Sequence, residues 1–326
     1  MINDKMIAVT GANGFVGQAV CRELMRQGFG VRALLRREST RRDMEQVLAA
    51  DARVVGDIED TTNFGDTLNG VGGVVHLAAR VHVMTDHEAD PLTAFRRVNV
   101  GGSIALAKAA SSYGVKRMVF MSSVKVNGEE TRLSPFDETS PFQPDDPYGQ
   151  SKVEAEKELH DFARKNGIGL TVLRPPLVYG PGVKANFAAM MKLAALGVPL
   201  PFGAIDNRRS LIHVDNLASA CVQVLQNPAA EDKTFMVSDG EDFSVPDMIR
   251  YLAEGMMKKS RMIPVPISWL KILGRLSGKQ AQISRLTGSL QIDSRLIRKE
   301  LNWQPPVNGR EGLRLTGKWF LNQTGR

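Results

Sequence analysis

The segment Gly11-Ala12-Asn13-Gly14-Phe15-Val16-Gly17 decides the fold because of what surrounds it. Residues 6–10 form an apolar run typical of a buried strand, and residues 15–25 carry apolar side chains at helical spacing. A glycine turn between strand and helix presents backbone amides and the positive end of the helix dipole to an anion. The sequence therefore predicts a dinucleotide pyrophosphate site formed by Gly11, Asn13, Gly14, Phe15, Val16 and Gly17. The spacing is G-x-x-G-x-x-G and not the more usual G-x-G-x-x-G, so the alternative is a bend that binds nothing.

The composition is that of an ordinary globular protein. The 326 residues are 43% hydrophobic and 24% charged, which allows one large domain or two modest ones. The net charge of +7 favours anionic partners, but the basic residues are scattered, so we do not expect nucleic-acid binding. Cys21 and Cys221 lie in apolar helical patterns, which predicts buried thiols and no metal site. The sequence shows neither a signal-peptide pattern nor a long apolar run, so we expect no membrane span and a cytoplasmic location.

Short apolar runs alternate with helical patterns, the longest of which covers residues 91–113. The runs lie at 6–10, 31–35, 53–56, 73–79, 117–121, 170–173 and 234–237. This alternation predicts an α/β fold with a doubly wound parallel sheet. His76 falls inside one apolar run and is expected to be a hydrogen-bonded interior histidine, not a metal ligand or a base.

Arg36 and Arg37 follow the second apolar run. An acidic residue about twenty residues beyond the glycines would bind the ribose 2′-hydroxyl of NAD, whereas arginine suits a 2′-phosphate. The sequence therefore favours NADP(H) over NAD(H). A solvated basic loop is the alternative, and the neighbouring Glu38 supports it.

Tyr148 and Lys152 follow a long polar loop at 127–147 and are four residues apart, which places them on one face of a helix. An ammonium about 4 Å from a phenol favours tyrosinate by roughly 4 kcal/mol at an effective dielectric near 20, or about three pKa units. We therefore expect Tyr148 to be an acid and base with a lowered pKa. A Tyr-x-x-x-Lys pair also occurs by chance on protein surfaces. It indicates a catalytic site here because the glycine turn and Ser122-Ser123 precede it.

With these residues in order, the chain resembles the extended short-chain dehydrogenase/reductase family, and above all its nucleotide-sugar epimerases, dehydratases and ketoreductases. The resemblance extends to the segment from Arg174 to Gly182, Arg-Pro-Pro-Leu-Val-Tyr-Gly-Pro-Gly. It implies a Rossmann domain at residues 1–178 and 212–238 and a smaller nucleotide-sugar domain at 179–211 and 239–326. A homodimer is common in this family, so we expect one here.

The resemblance also implies roles for individual residues. Tyr148, Lys152 and Ser123 would be catalytic, with Ser123 binding the C4 oxygen of the sugar and Ser122 as the alternative. The cofactor would further contact Asp57, Ile58, Leu77, Ala78, Ala79, Asn99 and Ser122. A nucleotide-diphosphate sugar, such as a UDP-sugar, would contact Ser123, Lys125, Asn186, Phe202 and Arg209. We expect no metal.

Departures from the family pattern narrow the expected reaction. Val124 and Lys125 stand where the dehydratases carry an Asp-Glu pair, so we do not expect dehydration. Reduction of a UDP-4-keto-6-deoxy-N-acetylhexosamine is our first expectation, because Arg36 and Arg37 favour NADP(H). A UDP-hexose or UDP-N-acetylhexosamine 4-epimerase is the alternative. A non-catalytic dinucleotide-binding sensor or scaffold is disfavoured because Tyr148 and Lys152 are both present.

Overall fold

A seven-stranded sheet forms the centre of the molecule. The computed structural model describes residues 5–48, 50–81 and 90–324. The strands are β1 Met6–Thr10, β2 Gly30–Leu35, β3 Asp51–Val54, β4 Gly73–His76, β5 Arg117–Met121, β6 Gly169–Arg174, β7 Leu177–Tyr179, β8 Pro199–Leu200, β9 Arg209–His213, β10 Lys233–Met236, β11 Asp242–Phe243 and β12 Arg261–Met262.

The central sheet has the order β10-β6-β5-β4-β1-β2-β3, and all its neighbouring strands are parallel. This order reverses direction between β1 and β4, which is where dinucleotides bind in doubly wound sheets. The predicted parallel, doubly wound sheet is thus confirmed. The third strand lies slightly earlier than predicted, at Asp51–Val54 and not at 53–56.

Helices cover both faces of this sheet. The helices are α1 Phe15–Arg26, α2 Arg41–Leu48, α3 Pro91–Phe95, α4 Gly102–Ser112, α5 Pro147–Asn166, α6 Ala185–Leu196, α7 Val214–Gln226, α8 Val245–Gly255, α9 Ile267–Leu276, α10 Gln280–Thr287, α11 Arg295–Leu301 and α12 Gly309–Thr324. One apolar core lies between the sheet and α1 and α7, and a second lies between the sheet and α4 and α5. Cys21 and Cys221 are both buried free thiols in the first core, as predicted.

The long helical pattern at 91–113 is continuous but contains a π-helical segment, Arg96–Gly101, between α3 and α4. At the end of this segment, a Cβ on Gly101 would lie 2.6 Å from Cβ of Asp60. A Cβ on Gly102 would lie 2.9 Å from the carbonyl oxygen of Ile58. The two glycines therefore let the helix pack directly on the chain that follows β3. Wide helical turns of this kind often occur at functional sites.

The second half of the chain has its own apolar core, built mainly from α6, α8, α9 and α12. A small sheet of order β11-β9-β7 lies between the halves. The predicted domain boundaries at 178 and 211 fall inside β7 and β9, so this small sheet continues the chain from one half into the other. The domain division itself stays a prediction. Within the described residues, no helix is long and apolar enough to cross a membrane.

Candidate active site

The glycine turn has the geometry needed for close approach of a phosphate. Gly11 adopts a φ of +66°, which favours glycine. A Cβ on Gly17 would lie only 2.1 Å from the carbonyl oxygen of Gly11, so a larger residue would break the turn. Gly14 precedes the first turn of α1, and none of the described side chains accepts a hydrogen bond there as a cap. The first amides of α1 are thus available to an anion, and this end of the molecule fits a dinucleotide pyrophosphate.

The carboxyl end of β2 carries Arg36, whose Nε lies 3.1 Å from Oδ1 of Asp57. Both side chains are more than half exposed. The structure thus places two predicted cofactor contacts side by side on the same edge of the sheet as the glycine turn, with Arg37 next to them. Ile58 is partly buried against the second apolar core. The ion pair reduces the charge that Arg36 offers to a 2′-phosphate, and the arginine keeps the position where the sequence predicts discrimination between cofactors.

His76 is an interior histidine, as predicted. Its Nδ1 lies 2.7 Å from Oγ1 of Thr10, and its Nε2 lies 2.9 Å from Oγ of Ser103. Because the Ser103 hydroxyl donates to the carbonyl of Asn99, it must accept the Nε2 proton of His76. Burial lowers the pKa of His76 to about 3, with the charge of Lys152 as a smaller cause. The ring is therefore neutral, and it joins Thr10 at the end of β1 to Ser103 in α4.

The segment after β4 is held against the glycine turn. The amides of Leu77 and Ala78 both donate to Oγ1 of Thr10 at 3.1 Å. A Cβ on Gly11 would meet the amide nitrogen of Ala78 at 3.0 Å. The predicted cofactor contacts Leu77, Ala78 and Ala79 therefore lie directly beside the pyrophosphate turn.

Asn99 joins this edge to the helix that carries Tyr148. Its side-chain amide exchanges two hydrogen bonds with the backbone of Arg80 and also donates to Oγ of Ser151 at 2.9 Å. Ser151 in turn donates to the carbonyl oxygen of Tyr148 at 2.8 Å. Asn99 therefore supports the local backbone, and Ser151 is a supporting residue that the sequence reasoning missed.

Tyr148 and Lys152 lie in the first turns of α5, whose N-terminus is capped by Asp146. The Tyr148 ring packs edge-on against Phe95, with ring centroids 6.2 Å apart. The Lys152 side chain is buried, donates to the carbonyl oxygen of Met121 at 2.8 Å and lies 4.4 Å from the centroid of the Phe120 ring. Lys152 is therefore positioned at the end of β5, which Ser122 and Ser123 follow, and Tyr148 lies one turn earlier on the same helix.

The prediction that the pKa of Tyr148 is lowered is wrong. Burial, and then the nearby carboxylate of Asp146, raise the pKa of Tyr148 above its ordinary value. Burial also lowers the pKa of Lys152 to about 7, although Glu156 opposes this effect. The simple Coulomb argument failed because it assumed a fully charged lysine and omitted the cost of burying both groups.

The two adjacent serines point to different surroundings. The Ser122 hydroxyl is buried and donates to Oε1 of Glu156. Glu156 also forms a buried two-point ion pair with Arg174, with Nη2 to Oε2 at 2.6 Å. Ser123 is only partly buried, and its hydroxyl accepts from the amide of Lys125 at 3.2 Å. The Ser122 hydroxyl is therefore held in the interior by Glu156, whereas Ser123 is partly accessible to solvent.

Neither Glu156 nor Arg174 was predicted as part of this arrangement. Glu156 stands four residues after Lys152, and this spacing is the signal that could have identified it, because residues at i and i+4 share a helix face. Arg174 could not be paired with Glu156 from sequence because the contact joins α5 to the end of β6.

The predicted loop at 127–147 is tied to the second half of the chain. The amide of Thr131 donates to the Ser289 carbonyl at 2.8 Å, and that of Phe136 donates to the Gln291 carbonyl at 2.9 Å. Nζ of Lys125 binds carboxylate oxygens of Glu129 at 2.6 Å and of Asp146 at 2.5 Å. The charge of Lys125 is therefore already paired inside the protein.

The predicted sugar contacts in the second half lie in different settings. Nη1 of Arg209 donates to the carbonyls of Arg285 and Gly288, at 3.1 and 3.0 Å. Phe202 is partly buried against the third core. Asn186 lies in α6, but its side chain is outside the described part of the structure. In the described residues, no group of three or more His, Cys, Asp or Glu side chains could hold a metal ion.

Comparison with known proteins agrees with this geometry. The model of the family described as "NAD dependent epimerase/dehydratase family" matches residues 7–243. A UDP-glucose 4-epimerase from Vibrio cholerae is 42% identical over 325 residues, covering 99% of this chain and 97% of the relative. An N-acetyl-alpha-D-glucosaminyl-diphospho-ditrans,octacis-undecaprenol 4-epimerase from Escherichia coli O157:H7 is 29% identical over 294 residues, covering 87% and 84%.

The crystal structure of a UDP-glucose 4-epimerase from Thermotoga maritima with UDP-glucose matches with a TM-score of 0.70 and 24% identity, over 98% of this chain and 100% of that one. This likeness shows the fold alone. The family model and the relative from Vibrio cholerae each cover most of the chain. The chain therefore belongs to the NAD dependent epimerase/dehydratase family, in the nucleotide-sugar branch of the extended short-chain dehydrogenases/reductases.

Proposed function

We propose that this protein is a 4-epimerase that acts on a UDP-hexose or UDP-N-acetylhexosamine. The observation that carries the proposal is its 42% identity, over nearly the whole of both chains, with a UDP-glucose 4-epimerase. The comparisons thus favour the alternative that the sequence left open over the ketoreductase that we expected first.

In the proposal, Tyr148 on α5 and Ser123 after β5 supply the proton chemistry. When bound, a dinucleotide supplies a nicotinamide ring that can take a hydride from C4 and return it. In the proposal, Tyr148 removes the proton of the C4 hydroxyl and later returns it, while Ser123 donates a hydrogen bond to the C4 oxygen. Ser122, which is committed to Glu156, takes no part in this step.

Burial shifts the pKa values of both Tyr148 and Lys152, and these shifts affect the proton transfer. Because its pKa is raised, Tyr148 must first release its own proton to solvent before it can act as the base at the C4 hydroxyl, and it then returns the C4 proton when the hydride returns. Lys152, with a pKa of about 7, carries a proton for part of the time at neutral pH. Its ammonium stabilises the tyrosinate when Tyr148 acts as the base. The pair can therefore serve both directions of hydride transfer.

The second half of the chain would bind the UDP group. We propose that Arg209 contacts the diphosphate, and that Phe202 packs against the uracil ring. Asn186 and Lys125 complete this proposed set. The pairing of Lys125 with Glu129 and Asp146 suits a positioning contact better than neutralisation of a phosphate.

A 4-ketoreductase is the second candidate function. It is favoured by Arg36, which stands where an acid would bind the ribose of NAD, because a reductase that consumes NADPH needs a contact for the 2′-phosphate. The preference for NADP(H) over NAD(H) stays a prediction, and it belongs with this second candidate.

A single assay separates the two functions. Purified protein is mixed with UDP-glucose or UDP-N-acetylglucosamine, and separately with UDP-4-keto-6-deoxy-N-acetylglucosamine in the presence of NADPH or NADH. The epimerase predicts interconversion of the ordinary sugars with no net change in reduced cofactor. Steady oxidation of NADPH with the keto sugar, and no interconversion of the ordinary sugars, would establish the reductase instead.

A further inference from the structure

Helix α9 has one face packed on the protein and one face exposed. Leu270 and Gly274 are buried, and a Cβ on Gly274 would lie 2.8 Å from Ile283 of α10. The opposite side carries large apolar side chains, with exposed fractions of 66% for Trp269, 54% for Ile272, 59% for Leu273 and 82% for Leu276. The pattern of apolar and basic residues at 262–276 favours packing on the small domain or on a subunit partner over an interfacial helix. The structure shows such packing for one face of α9 and leaves the other to solvent.

The chain around α9 is uniformly basic. Residues 255–292 contain seven cationic side chains and neither aspartate nor glutamate. These are Lys258, Lys259, Arg261, Lys271, Arg275, Lys279 and Arg285, and all seven are exposed. Because Lys271 and Arg275 flank the exposed apolar residues on α9 itself, the same face offers both apolar insertion and positive charge.

We propose that this face binds the surface of an anionic phospholipid bilayer, with α9 lying in the plane of the interface. Tryptophan and leucine beside lysine and arginine are the combination that partitions into the headgroup region. The charge also disfavours a second copy of the protein as the occupant, since pairing this face with itself would bring like charges together.

The position of α9 gives the contact a consequence for the site. α9 packs against α10, and the carbonyls of Arg285 and Gly288 at the end of α10 accept hydrogen bonds from Arg209. The bilayer would therefore contact the outer side of the same helical pair that holds Arg209. Docking would keep the second half of the chain at the membrane surface.

The test is sedimentation of the full-length protein with vesicles of phosphatidylcholine alone or with 30% phosphatidylglycerol, at about 50 and 500 mM salt. We expect binding to the anionic vesicles, weaker binding at high salt and little binding to phosphatidylcholine, because screening acts on the charge contribution. Absence of wild-type binding to anionic vesicles at low salt would overturn the proposal. Equal binding to both vesicle types would show that anionic lipid is not needed, and it would overturn the proposal of an anionic bilayer.

Paired variants distinguish binding by the α9 face from a general effect of net charge or of exposed apolar residues. Lys271→Glu/Arg275→Glu should weaken binding at least tenfold, since each cation near the surface contributes about fivefold. Lys116→Glu/Lys165→Glu makes the same change in net charge on exposed residues elsewhere and should have a small effect. An equal loss in both double variants would contradict a specific surface.

The contribution of the apolar residues is tested with Trp269→Ser/Leu276→Ser. The control is Leu133→Ser, because Leu133 is fully exposed and lies outside this segment. Only the first variant should lose vesicle binding, while it keeps the wild-type melting temperature and turnover. Sedimentation velocity is run in parallel. If the wild type is a dimer that Trp269→Ser/Leu276→Ser dissociates, a second copy covers this face and the membrane proposal is wrong.

Discussion

Nζ of Lys152 lies 2.8 Å from the carbonyl oxygen of Met121, the last residue of β5. This contact joins the helix that carries Tyr148 to the strand end that carries Ser122 and Ser123. The Lys152 side chain is buried, so its charge is costly and its pKa falls to about 7. Burial of Lys152 against the end of β5 therefore both fixes its position and lowers its pKa.

The depressed pKa of Lys152 predicts a particular dependence of stability on pH. The unfolded chain holds the lysine proton up to about pH 10.4, whereas the folded chain releases it near pH 7. The cost of the buried charge is therefore full below pH 7 and declines as the pH rises from 7 towards 10. Lys152→Met, which removes this cost, should raise the melting temperature more at pH 6 than at pH 10.

Lys165→Met is the matched control for that measurement, because Lys165 is exposed on the same helix. Its effect on melting temperature should be small at both pH values. A gain for Lys152→Met that is equal at pH 6 and pH 10 would show that the lysine is not depressed in the folded protein.

The buried pair of Glu156 and Arg174 makes a second prediction. Glu156→Gln leaves the Arg174 charge without its carboxylate in a site where both side chains are less than 5% exposed. We expect the free energy of unfolding, measured with urea, to fall by about 3–5 kcal/mol. Glu158→Gln, an exposed residue on the same helix, should change it by less than about 0.5 kcal/mol.

A double variant distinguishes an uncompensated charge from lost packing. Glu156→Leu/Arg174→Met should recover most of the stability lost in Glu156→Gln, since no isolated charge remains buried. If the double variant is as unstable as the single one, the loss comes from packing and not from Arg174.

The glycine turn is tested by Gly17→Ala. A methyl group there would lie 2.1 Å from the backbone oxygen of Gly11, so the turn must move. We expect at least a tenfold loss of dinucleotide affinity, measured by fluorescence titration. Gly30→Ala is the control, because the nearest atoms to its new methyl, from 3.0 Å, belong to the flexible end of the Met6 side chain. Equal affinity in the two variants would place the pyrophosphate elsewhere.

Arg36 is the residue expected to discriminate between cofactors. Arg36→Asp replaces the cation after β2 with the acid that would bind a ribose hydroxyl. Affinity for NADP+ should fall at least tenfold, whereas affinity for NAD+ should be retained or should rise, as measured by titration calorimetry. A parallel fall for both nucleotides would mean that Arg36 acts only through its ion pair with Asp57.

Local patterns were enough to predict the sheet, the glycine turn and the interior position of His76. Each follows from a short run of residues whose apolar spacing or glycine content has one favourable structure. The hydrogen-bonded chain from Asn99 through Ser151 to Tyr148 could not be predicted in this way, because it joins residues about fifty positions apart.

The electrostatics of the site were predicted incorrectly because they also depend on contacts between distant parts of the chain. A four-residue spacing places Tyr148 and Lys152 on one helical face, but it does not reveal that Lys152 turns to the Met121 carbonyl or that Asp146 caps the same helix. Burial and neighbours from other elements set both pKa values, and these are consequences of the tertiary fold.

The most direct test of the account follows the fate of the hydrogen at C4. UDP-glucose and UDP-N-acetylglucosamine carrying deuterium at C4 are incubated with the purified enzyme, without added NADPH or NADH, and followed by NMR. We expect at least one sugar to be converted to its C4 epimer with the deuterium retained, and Tyr148→Phe to be slower by at least about 100-fold. Loss of the deuterium to solvent, or near wild-type turnover by Tyr148→Phe, would contradict it.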